Sequence, residues 1–372
     1  MAPTDRQKAA AESWGNFCDM LKVAGEQLLR TDLPIDQLDL AEGLRYLSRL
    51  TYASIERNME GANPQKPLLY VLCNERIKIG GDNPDNRYFA AAVDWRHRYV
   101  LRGDFRQCSY FSVVASGRGD GSDAARGGAV NSRTTVTGAD GLTEIHIGRE
   151  PRGGNHVTLN ESTTLVIVRC TIETKGSKDI AVSLERIDDG TIVDHEARYD
   201  AVTDALQRTA LFVRNAASYY GDWTARFQGH LNELPIYPDQ AQLVSLGGDP
   251  AIQIYLSAWA LAANECLVIE IDEIPDCITW NFQLCNVWFE SLDYTIAQVH
   301  LNSRNAVYRA DGGVAIVVSA TDPGLPNWLR TLGHDHGTLC LRLVGASEPL
   351  RANTRVVTAT ELAQLRETSA TR

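Results

Sequence analysis

Side chains suited to acid–base chemistry and ligand binding are concentrated in one short stretch, WNFQLCNVWFESLDY, residues 280–294. Read as a β-strand, it has two distinct faces, because side chains alternate along a strand. The apolar face holds Ile278, Trp280, Phe282, Leu284, Asn286 and Trp288, and the other holds Thr279, Asn281, Gln283, Cys285 and Val287. A buried amide must bond to the backbone or to a ligand. We therefore predict that Asn286 and Trp288 bind substrate, and a satisfied core asparagine is the alternative.

Three ionisable residues follow where this strand should end: Glu290, Asp293 and Tyr294. A carboxylate beside apolar, aromatic walls can have a raised pKa and act as a general acid or base. We predict Asp293 or Glu290 in that role and Tyr294 as a proton relay. The alternative is that the carboxylates belong to an exposed loop.

A second polar cluster is IGGDNPDNRYF, residues 79–89. Glycine pairs followed by Asp, Asn and Pro are typical of tight turns. The alternatives are a turn that bonds only to itself and a turn whose side chains project into a pocket. On the second reading, the substrate-binding residues are Asp82, Asp85, Asn86 and Tyr88. The DxDxDG spacing of a calcium loop is absent.

The third cluster is TDPGLPNWLRTLGHDHGTL, residues 321–339, where His334 and His336 flank Asp335. Two histidines at this spacing can share a face and bind a metal, but the signal is weak without a third ligand nearby in the sequence. We predict no metal and no cofactor, with His334 as a proton relay. Asn327 and Trp328 are predicted to contact substrate.

Well-known catalytic motifs are missing from the sequence, including GxSxG, GxGxxG after a strand, HExxH and CxxC. Covalent serine hydrolysis, dinucleotide redox chemistry and zinc peptidase activity are therefore disfavoured. The eight cysteines lie mostly in apolar runs, which favours buried free thiols over disulfides. The Gly- and Asp-rich residues 117–133 indicate a mobile hairpin tip.

Composition sets the class of protein. The chain has 372 residues, 44% of them hydrophobic and 22% charged, with a formal net charge of -11. That charge argues against nucleic acid or an anionic membrane as partner, because both attract clustered Lys and Arg. We expect a cytoplasmic location, since no apolar run is long enough to span a membrane. A homo-oligomer is possible.

The elements that must position these residues are mainly strands. Helical spacing predicts helices over residues 9–30, from Asp39 onward, and from Val202 to Phe227. Between and after them, short β-branched runs separated by turn residues predict antiparallel sheets. The fold class is α+β, mainly antiparallel β, with β-sandwich-like sheets. Predicted boundaries are 1–62 (helical), 63–200 (β-rich), 201–232 (connecting helix), 233–360 (β-rich) and 361–372 (tail), without a strict internal repeat.

The three polar clusters occur in an order that resembles the bacterial family called domain of unknown function twelve-fourteen. The resemblance covers most of residues 75–360 and is strongest in the last hundred. It implies a β-sandwich fold. Members of the family occur in degradative bacteria, which supports an apolar substrate by association alone. The matching positions are Asp82, Asn83, Pro84, Asp85, Asn86, Asn286, Trp288, Leu292, Asp293, Tyr294, Asp322, Pro323, Gly324, Asn327, Trp328, Gly333, His334 and Gly337. His336 departs from the family's pattern.

Two functional hypotheses follow. The first is a cofactor-independent enzyme that acts on a largely apolar small molecule, of steroid, terpenoid or aromatic type, by elimination or hydration, isomerisation or hydrolysis. The second is a non-catalytic binding or accessory protein. The two differ in one observable: a catalyst needs an ionisable group with a strongly shifted pKa in its pocket, whereas a carrier needs only an apolar wall.

Overall fold

The computed structural model describes residues 2–117, 127–174, 179–188, 198–245 and 248–362. The fold is α+β with mainly antiparallel sheets, as the sequence predicts. Most of the predicted hairpin tip at 117–133 and nearly all of the predicted tail lie outside the described residues. No helix within the described ranges is long and apolar enough to cross a bilayer.

The α-helices whose bounds lie wholly within the described ranges are α1 (Asp5–Gly25), α2 (Gln37–Ile55), α3 (Tyr199–Phe227) and α4 (Gln240–Ser245). The predicted start of α2 at Asp39 is wrong. Asp36 caps the helix by accepting a hydrogen bond from the Asp39 amide, and the Asp39 carboxylate accepts one from the Asp36 amide. Asp39 is therefore the third helical residue and the inner member of the capping box. The prediction for α3 is confirmed to within three residues at its start.

The strands form two β units. The N-terminal β unit contains β1 (Tyr70–Cys73), β2 (Asn86–Ala92), β3 (Tyr99–Gly103), β4 (Tyr110–Gly117), β5 (Ala129–Asn131), β6 (Thr143–Gly148), β7 (His156–Thr158), β8 (Thr163–Thr171) and β9 (Val182–Arg186). The C-terminal β unit contains β10 (Ile252–Ala260), β11 (Glu265–Ile271), β12 (Thr279–Cys285), β13 (His300–Asn302), β14 (Val314–Ser319), β15 (Trp328–Arg330), β16 (His336–Val344) and β17 (Asn353–Thr358).

The two units repeat one topology. The inner sheet of the N-terminal unit has the order β1-β2-β8-β4-β5, and that of the C-terminal unit has the order β10-β16-β12-β13. The outer sheets are β7-β6-β3-β9 and β15-β14-β11-β17. Apart from β1, each strand of the first unit has a counterpart in the second. The sequence shows no strict repeat, so the duplication becomes visible only in the strand order.

Strand registers align the two units residue by residue. Arg169 on β8 lies opposite Ser112 on β4, and Ser112 lies opposite Asn131. In the second unit, Arg342 lies opposite Asn281, and Asn281 lies opposite Asn302. The two asparagines begin the same tripeptide, Asn-Ser-Arg. Arg169 and Arg342 therefore occupy equivalent positions on the central strands of the two inner sheets.

Strand β12 is shorter than the alternation of its sequence predicts. It ends at Cys285, and residues 286–290 form a turn in which the Asn286 Oδ1 accepts hydrogen bonds from the amides of Trp288 and Glu290. Asn286 and Trp288 therefore do not belong to the apolar strand face, and that prediction is wrong. Short polar side chains readily bond to nearby backbone amides, which ends a strand locally.

Each β unit has its own core between its two sheets, built from the inward-facing aliphatic and aromatic side chains. The long helix α3 contacts α1 and α2, and its aromatic residues pack on the C-terminal unit. All eight cysteines are free thiols and five of them are buried, as predicted.

Candidate functional site

A cavity of about 440 Å³ lies where the two inner sheets, α3 and the segment 79–82 meet. This volume is within the range of small-molecule sites, about 300–1,000 Å³. Apolar and aromatic side chains make up most of the wall: Leu72, Ile79, Leu165, Ile167, Phe212, Tyr219, Tyr220, Trp223, Leu243, Ile252, Ile254, Leu256 and Phe289. Both β units therefore contribute to one pocket.

The glycine pair of the second polar cluster shapes the cavity wall. Gly80 and Gly81 have positive φ angles of 62° and 68°. A Cβ on Gly80 would lie 2.3 Å from the ring of Tyr220, and one on Gly81 would lie 2.6 Å from the ring of Phe289. The Gly81 amide donates to the Phe289 carbonyl at 2.7 Å. Only glycine combines this backbone conformation with such close approach to two aromatic rings.

Three arginines line the cavity, and Arg342 is the most deeply buried of them. Its Nη1 donates to the Gln283 Oε1 at 2.8 Å, and its Nη2 donates to the Gly81 carbonyl. Both acceptors are neutral, and Arg342 makes no ion pair with the described residues. A buried guanidinium without a carboxylate partner is unusual, because removing a charge from water is costly.

The carboxylates in the cavity wall are engaged elsewhere. Asp82 accepts hydrogen bonds from the Ser291 amide and hydroxyl at 2.9 and 2.8 Å. Asp249 accepts one from the Tyr110 hydroxyl at 2.6 Å and one from the Ala251 amide at 2.9 Å. The third carboxylate of the wall, Asp222, pairs with Arg30 at 2.6 Å. None of the three hydrogen-bonds to Arg342, although the charge of nearby Asp82 favours the charged guanidinium.

The tyrosines of the wall are neutral near pH 7. Burial raises the pKa of Tyr88 to about 12 and that of Tyr220 to about 12. The Tyr88 hydroxyl therefore keeps its proton at neutral pH, and its oxygen accepts a hydrogen bond from the Asn83 amide at 2.9 Å. Burial also raises the pKa of the Cys73 thiol, which is therefore not a thiolate nucleophile.

A separate polar cluster lies under α2. Asn286 donates to the Glu42 Oε2 at 2.7 Å, and the His334 Nε2 lies 3.0 Å from the same oxygen. Burial is the largest single effect and lowers the pKa of His334, but the hydrogen bond and charge of Glu42, with the Thr331 carbonyl and Asp39, together raise it above its usual value. In the same way, Asp39 and Asp335 raise the pKa of His336 to about 9 against the effect of burial.

Glu290 lies beside this cluster and is 2% exposed. Its carboxylate is 3.4 Å from the Arg49 guanidinium and 3.5 Å from the Asn286 amide nitrogen. Burial raises the pKa of Glu290 to about 7, although Arg49 and Lys78 lower it. A carboxyl group with this pKa can accept or donate a proton near neutral pH.

The predicted site residues separate into five locations, of which the exposed turn of Asp293 is the last. Asp82, Asn86 and Tyr88 line the cavity, whereas Glu290, Asn286, Trp288 and His334 lie at the α2 cluster. Asp85 and Tyr294 contact His300 from opposite β units. Asn327 bonds to the backbone of Val307 and Ala315, and Trp328 bonds to the Ser319 carbonyl, so both are packed in the outer sheet.

Asp293 is exposed, and its Oδ1 accepts hydrogen bonds from the Thr295 amide and hydroxyl. Burial would raise the pKa of Asp293, but these bonds lower it below its usual value. An exposed, readily ionised carboxylate is a poor general acid at neutral pH. Of the two carboxylates predicted as acid or base, only Glu290 has a pKa near neutrality.

Five cavity residues were not among the predicted site residues: Arg169, Arg342, Tyr220, Trp223 and Phe289. A signal for the two arginines was present, because each interrupts an apolar strand, in LVIVRCTI and TLCLRLVG. Lys and Arg are rarely buried without a reason, so an arginine within such a run indicates a site.

The fold and the cavity define a duplicated β-sandwich protein with a pocket between its halves. The sequence model described as "Protein of unknown function (DUF1214)" matches residues 267–348. The structure of an uncharacterized protein from Burkholderia cenocepacia is 40% identical, with a TM-score of 0.91, over 96% of this chain and 99% of that one. This chain belongs to the DUF1214 family, and the predicted resemblance is confirmed.

A second solved structure, the VPA0106 protein from Vibrio parahaemolyticus, is 11% identical over 90% of this chain and 100% of that one, with a TM-score of 0.47. No curated protein matches this chain significantly.

Proposed function

We propose that this protein binds a largely apolar small molecule that carries an acidic group, in the cavity between the two β units. The observation that carries the proposal is Arg342, a buried guanidinium in the cavity wall whose hydrogen-bond partners are neutral. An anionic group on the ligand would supply the missing countercharge through a charge-assisted hydrogen bond. The aromatic wall formed by Tyr220, Trp223 and Phe289 would enclose the apolar body.

The neutral tyrosines and the protonated Cys73 favour binding over acid–base chemistry inside the cavity. Tyr88 and Tyr220 have pKa values of about 12, far above neutrality. They can donate hydrogen bonds to a ligand but cannot act as bases at pH 7. The cavity does hold groups with shifted pKa values, but burial moves them away from neutrality, so we favour the non-catalytic alternative for the cavity itself.

The test compares carboxylic acids with their methyl esters on the wild-type protein. Calorimetric titration with a panel of aromatic, terpenoid and steroid acids is expected to give at least one ligand with micromolar or tighter affinity. Its ester, which has the same apolar body without the charge, should bind at least about tenfold more weakly, a difference of about 1.4 kcal/mol. Equal affinity for acid and ester would contradict the role of Arg342.

The matched variants are Arg342→Gln and Arg351→Gln. Arg351 is exposed and does not line the cavity. The first variant should lose the preference for the acid over its ester, and the second should keep it. Trp223 lies in the wall, so quenching of tryptophan fluorescence gives an independent measure of occupancy.

Glu290 supports a second candidate, the cofactor-independent enzyme expected from the sequence. Its pKa of about 7 suits a general acid or base, but it does not itself line the cavity. Incubating the ligand found above with protein and analysing the products by mass spectrometry tests this candidate. Conversion that Glu290→Gln abolishes would support the enzyme, and an unchanged ligand would leave only binding.

A further inference from the structure

A group of potential metal ligands lies under α2, away from the cavity wall. Asp39 and Glu42 are three residues apart on the first turns of α2, so they share one helix face. His334 reaches them from the turn before β16. One ligand atom from each of these three residues lies within 4.8 Å of the others. The sequence offered no third ligand beside the two histidines, because 292 residues separate Glu42 from His334.

The ring of His334 is held in the orientation that metal-binding histidines usually have. Its Nδ1 lies 2.9 Å from the Thr331 carbonyl, which can only accept, so Nδ1 carries the proton. Nε2 then faces Glu42 at 3.0 Å. A backbone carbonyl on one ring nitrogen, with the other nitrogen directed at a metal, is the common outer-shell arrangement in metalloproteins.

Asp39 provides an independent observation. It is 1% exposed, and its Oδ2 lies 2.9 Å from both the Asp36 amide and the His336 Nε2. Its Oδ1 is buried and has no hydrogen-bond partner among the described residues. A buried carboxylate oxygen without a donor is destabilising. A cation beside Oδ1 would satisfy it.

We propose that Asp39, Glu42 and His334 bind one divalent transition-metal ion of the zinc type. One imidazole nitrogen and two carboxylate oxygens suit such an ion, whereas Ca²⁺ takes six to eight oxygen ligands. Ligand atoms around tetrahedral Zn²⁺, at about 2.1 Å from the metal, lie roughly 3.4 Å apart. The observed separations, all within 4.8 Å, therefore need to change by at most about 1.4 Å. Water would complete the coordination, because the Glu42 side chain is one-fifth exposed.

His336 would orient Asp39 rather than bind the metal. Its two ring nitrogens face the carboxylates of Asp39 and Asp335, so both nitrogens act as donors. This arrangement engages Oδ2 of Asp39 and leaves Oδ1 for the ion. His336 is thus a positioning residue.

The N-terminal β unit has no such group among its described residues. His334 and His336 precede Arg342 on the chain. The positions that precede the equivalent Arg169 by the same numbers of residues hold Glu161 and Thr163. Glu161 is exposed. Duplication of the scaffold therefore does not predict a second metal.

The experiment uses the full chain, stripped with EDTA and titrated with ZnCl₂ by calorimetry and by metal analysis after dialysis. We expect about one Zn²⁺ per chain with micromolar or tighter affinity. His334→Asn and Asp39→Asn should each weaken binding by about 100-fold or more. The control is His230→Asn, which alters an exposed histidine that lies 3.0 Å from Glu233. Binding that survives both substitutions would overturn the assignment, as would no binding at all.

A second measurement avoids any loss of folding in the variants. Crystals of the wild-type protein soaked in ZnCl₂ should show an anomalous peak about 2.0–2.2 Å from ligand atoms of Asp39, Glu42 and His334. A peak only at other residues would overturn the proposal. Neither outcome depends on the ligand of the cavity, so failure of this site and failure of the proposed function are distinguishable.

Discussion

The two β units have the same strand order but different surroundings. Arg169 and Arg342 occupy equivalent positions in them, and both face the shared cavity. Helix α2 covers the C-terminal unit, which places Asp39 and Glu42 beside its histidines. The comparison indicates that duplication supplied a symmetric scaffold, and that the packed helices and turns made its halves chemically different.

The Asn-Ser-Arg turns show this divergence at single residues. Asn131 and Asn302 both accept a hydrogen bond from the amide of the arginine two residues on. Asn302 is 1% exposed and also donates to Asp85 at 2.8 Å and to the Glu173 carbonyl at 3.2 Å. Asn131 is only half-buried. The asparagine is thus mainly a local turn residue in one unit and a contact between units in the other, although Arg133 of the first turn also donates to the Gly345 carbonyl at 3.5 Å.

The largest expected effect comes from removing the anchor between α2 and the C-terminal unit. Trp288 is 2% exposed, stacks on Tyr46 and donates from its indole to the Asp39 carbonyl at 2.7 Å. Trp288→Ala should lower the free energy of unfolding by about 3–5 kcal/mol. The control in the other unit is Trp95→Ala, because Trp95 is half-buried under Arg149 and should cost less than about 2 kcal/mol. Chemical denaturation measures both, and similar losses would contradict the asymmetry.

The next effect concerns pH. Glu290 faces Arg49, Lys78, Asp82 and Glu42, and its pKa rises from 4.5 to about 7 on folding. Because the folded state holds this proton more tightly, stability is lost as pH rises from about 4.5 through 7, by up to about 3 kcal/mol. Glu290→Gln should remove that part of the loss. Unfolding free energies at pH 5 and pH 8 test this, with Glu161→Gln in the N-terminal unit expected to behave as wild type.

The paired turns give a smaller effect. Asn302→Ala leaves the buried Asp85 carboxylate with one hydrogen-bond donor fewer. The substitution should therefore lower the free energy of unfolding by about 1–3 kcal/mol. Asn131→Ala loses mainly the bonds within its own turn and should cost about 1 kcal/mol or less. Thermal unfolding of the two variants in parallel provides the measurement. A larger loss for Asn131→Ala would show that the turns do not differ as described.

The smallest effect is expected on the outer sheets. Arg102 pairs with Glu144 at 2.8 Å in the N-terminal unit, and Arg355 pairs with Glu270 at 2.9 Å in the C-terminal unit. Both pairs are exposed or half-exposed, so Arg102→Ala and Arg355→Ala should each lower the free energy of unfolding by less than about 1 kcal/mol. Equal, small losses at low and moderate salt would show that the units differ only on their inner faces.

Local patterns in the sequence predicted much of the fold. The helices and most strands follow from side-chain spacing and turn residues. Asn83 forms the predicted turn through the Asp85 and Asn86 amides, but the turn does not bond only to itself, because Asp82 and Asp85 bond to Ser291 and Asn302. The site was harder to predict because its contacts are distant in sequence. Asp39 was recognised only as a capping residue, since nothing near it indicates His336, which lies 297 positions away.

The end of β12 shows a second limit. Alternation predicts that the strand continues to Trp288, because the apolar residues keep their spacing. The actual end depends on the Asn286 side chain bonding to two amides, a competition that spacing does not reveal. The sequence shows that Arg169 and Arg342 each interrupt an apolar strand. Their equivalence becomes visible only in the pairing of the strands.

The hydrogen bonds around segment 78–82 also bear on the order of events during synthesis. Lys78 donates to the Ser291 carbonyl, Asp82 accepts through its carbonyl from Gln283, and Gly81 accepts from Arg342. These partners lie 201 to 261 residues further along the chain. At about 5–20 residues per second, the segment waits on the order of ten seconds or more at the ribosome before they emerge. The cavity wall can therefore be completed only after nearly the whole chain has been made.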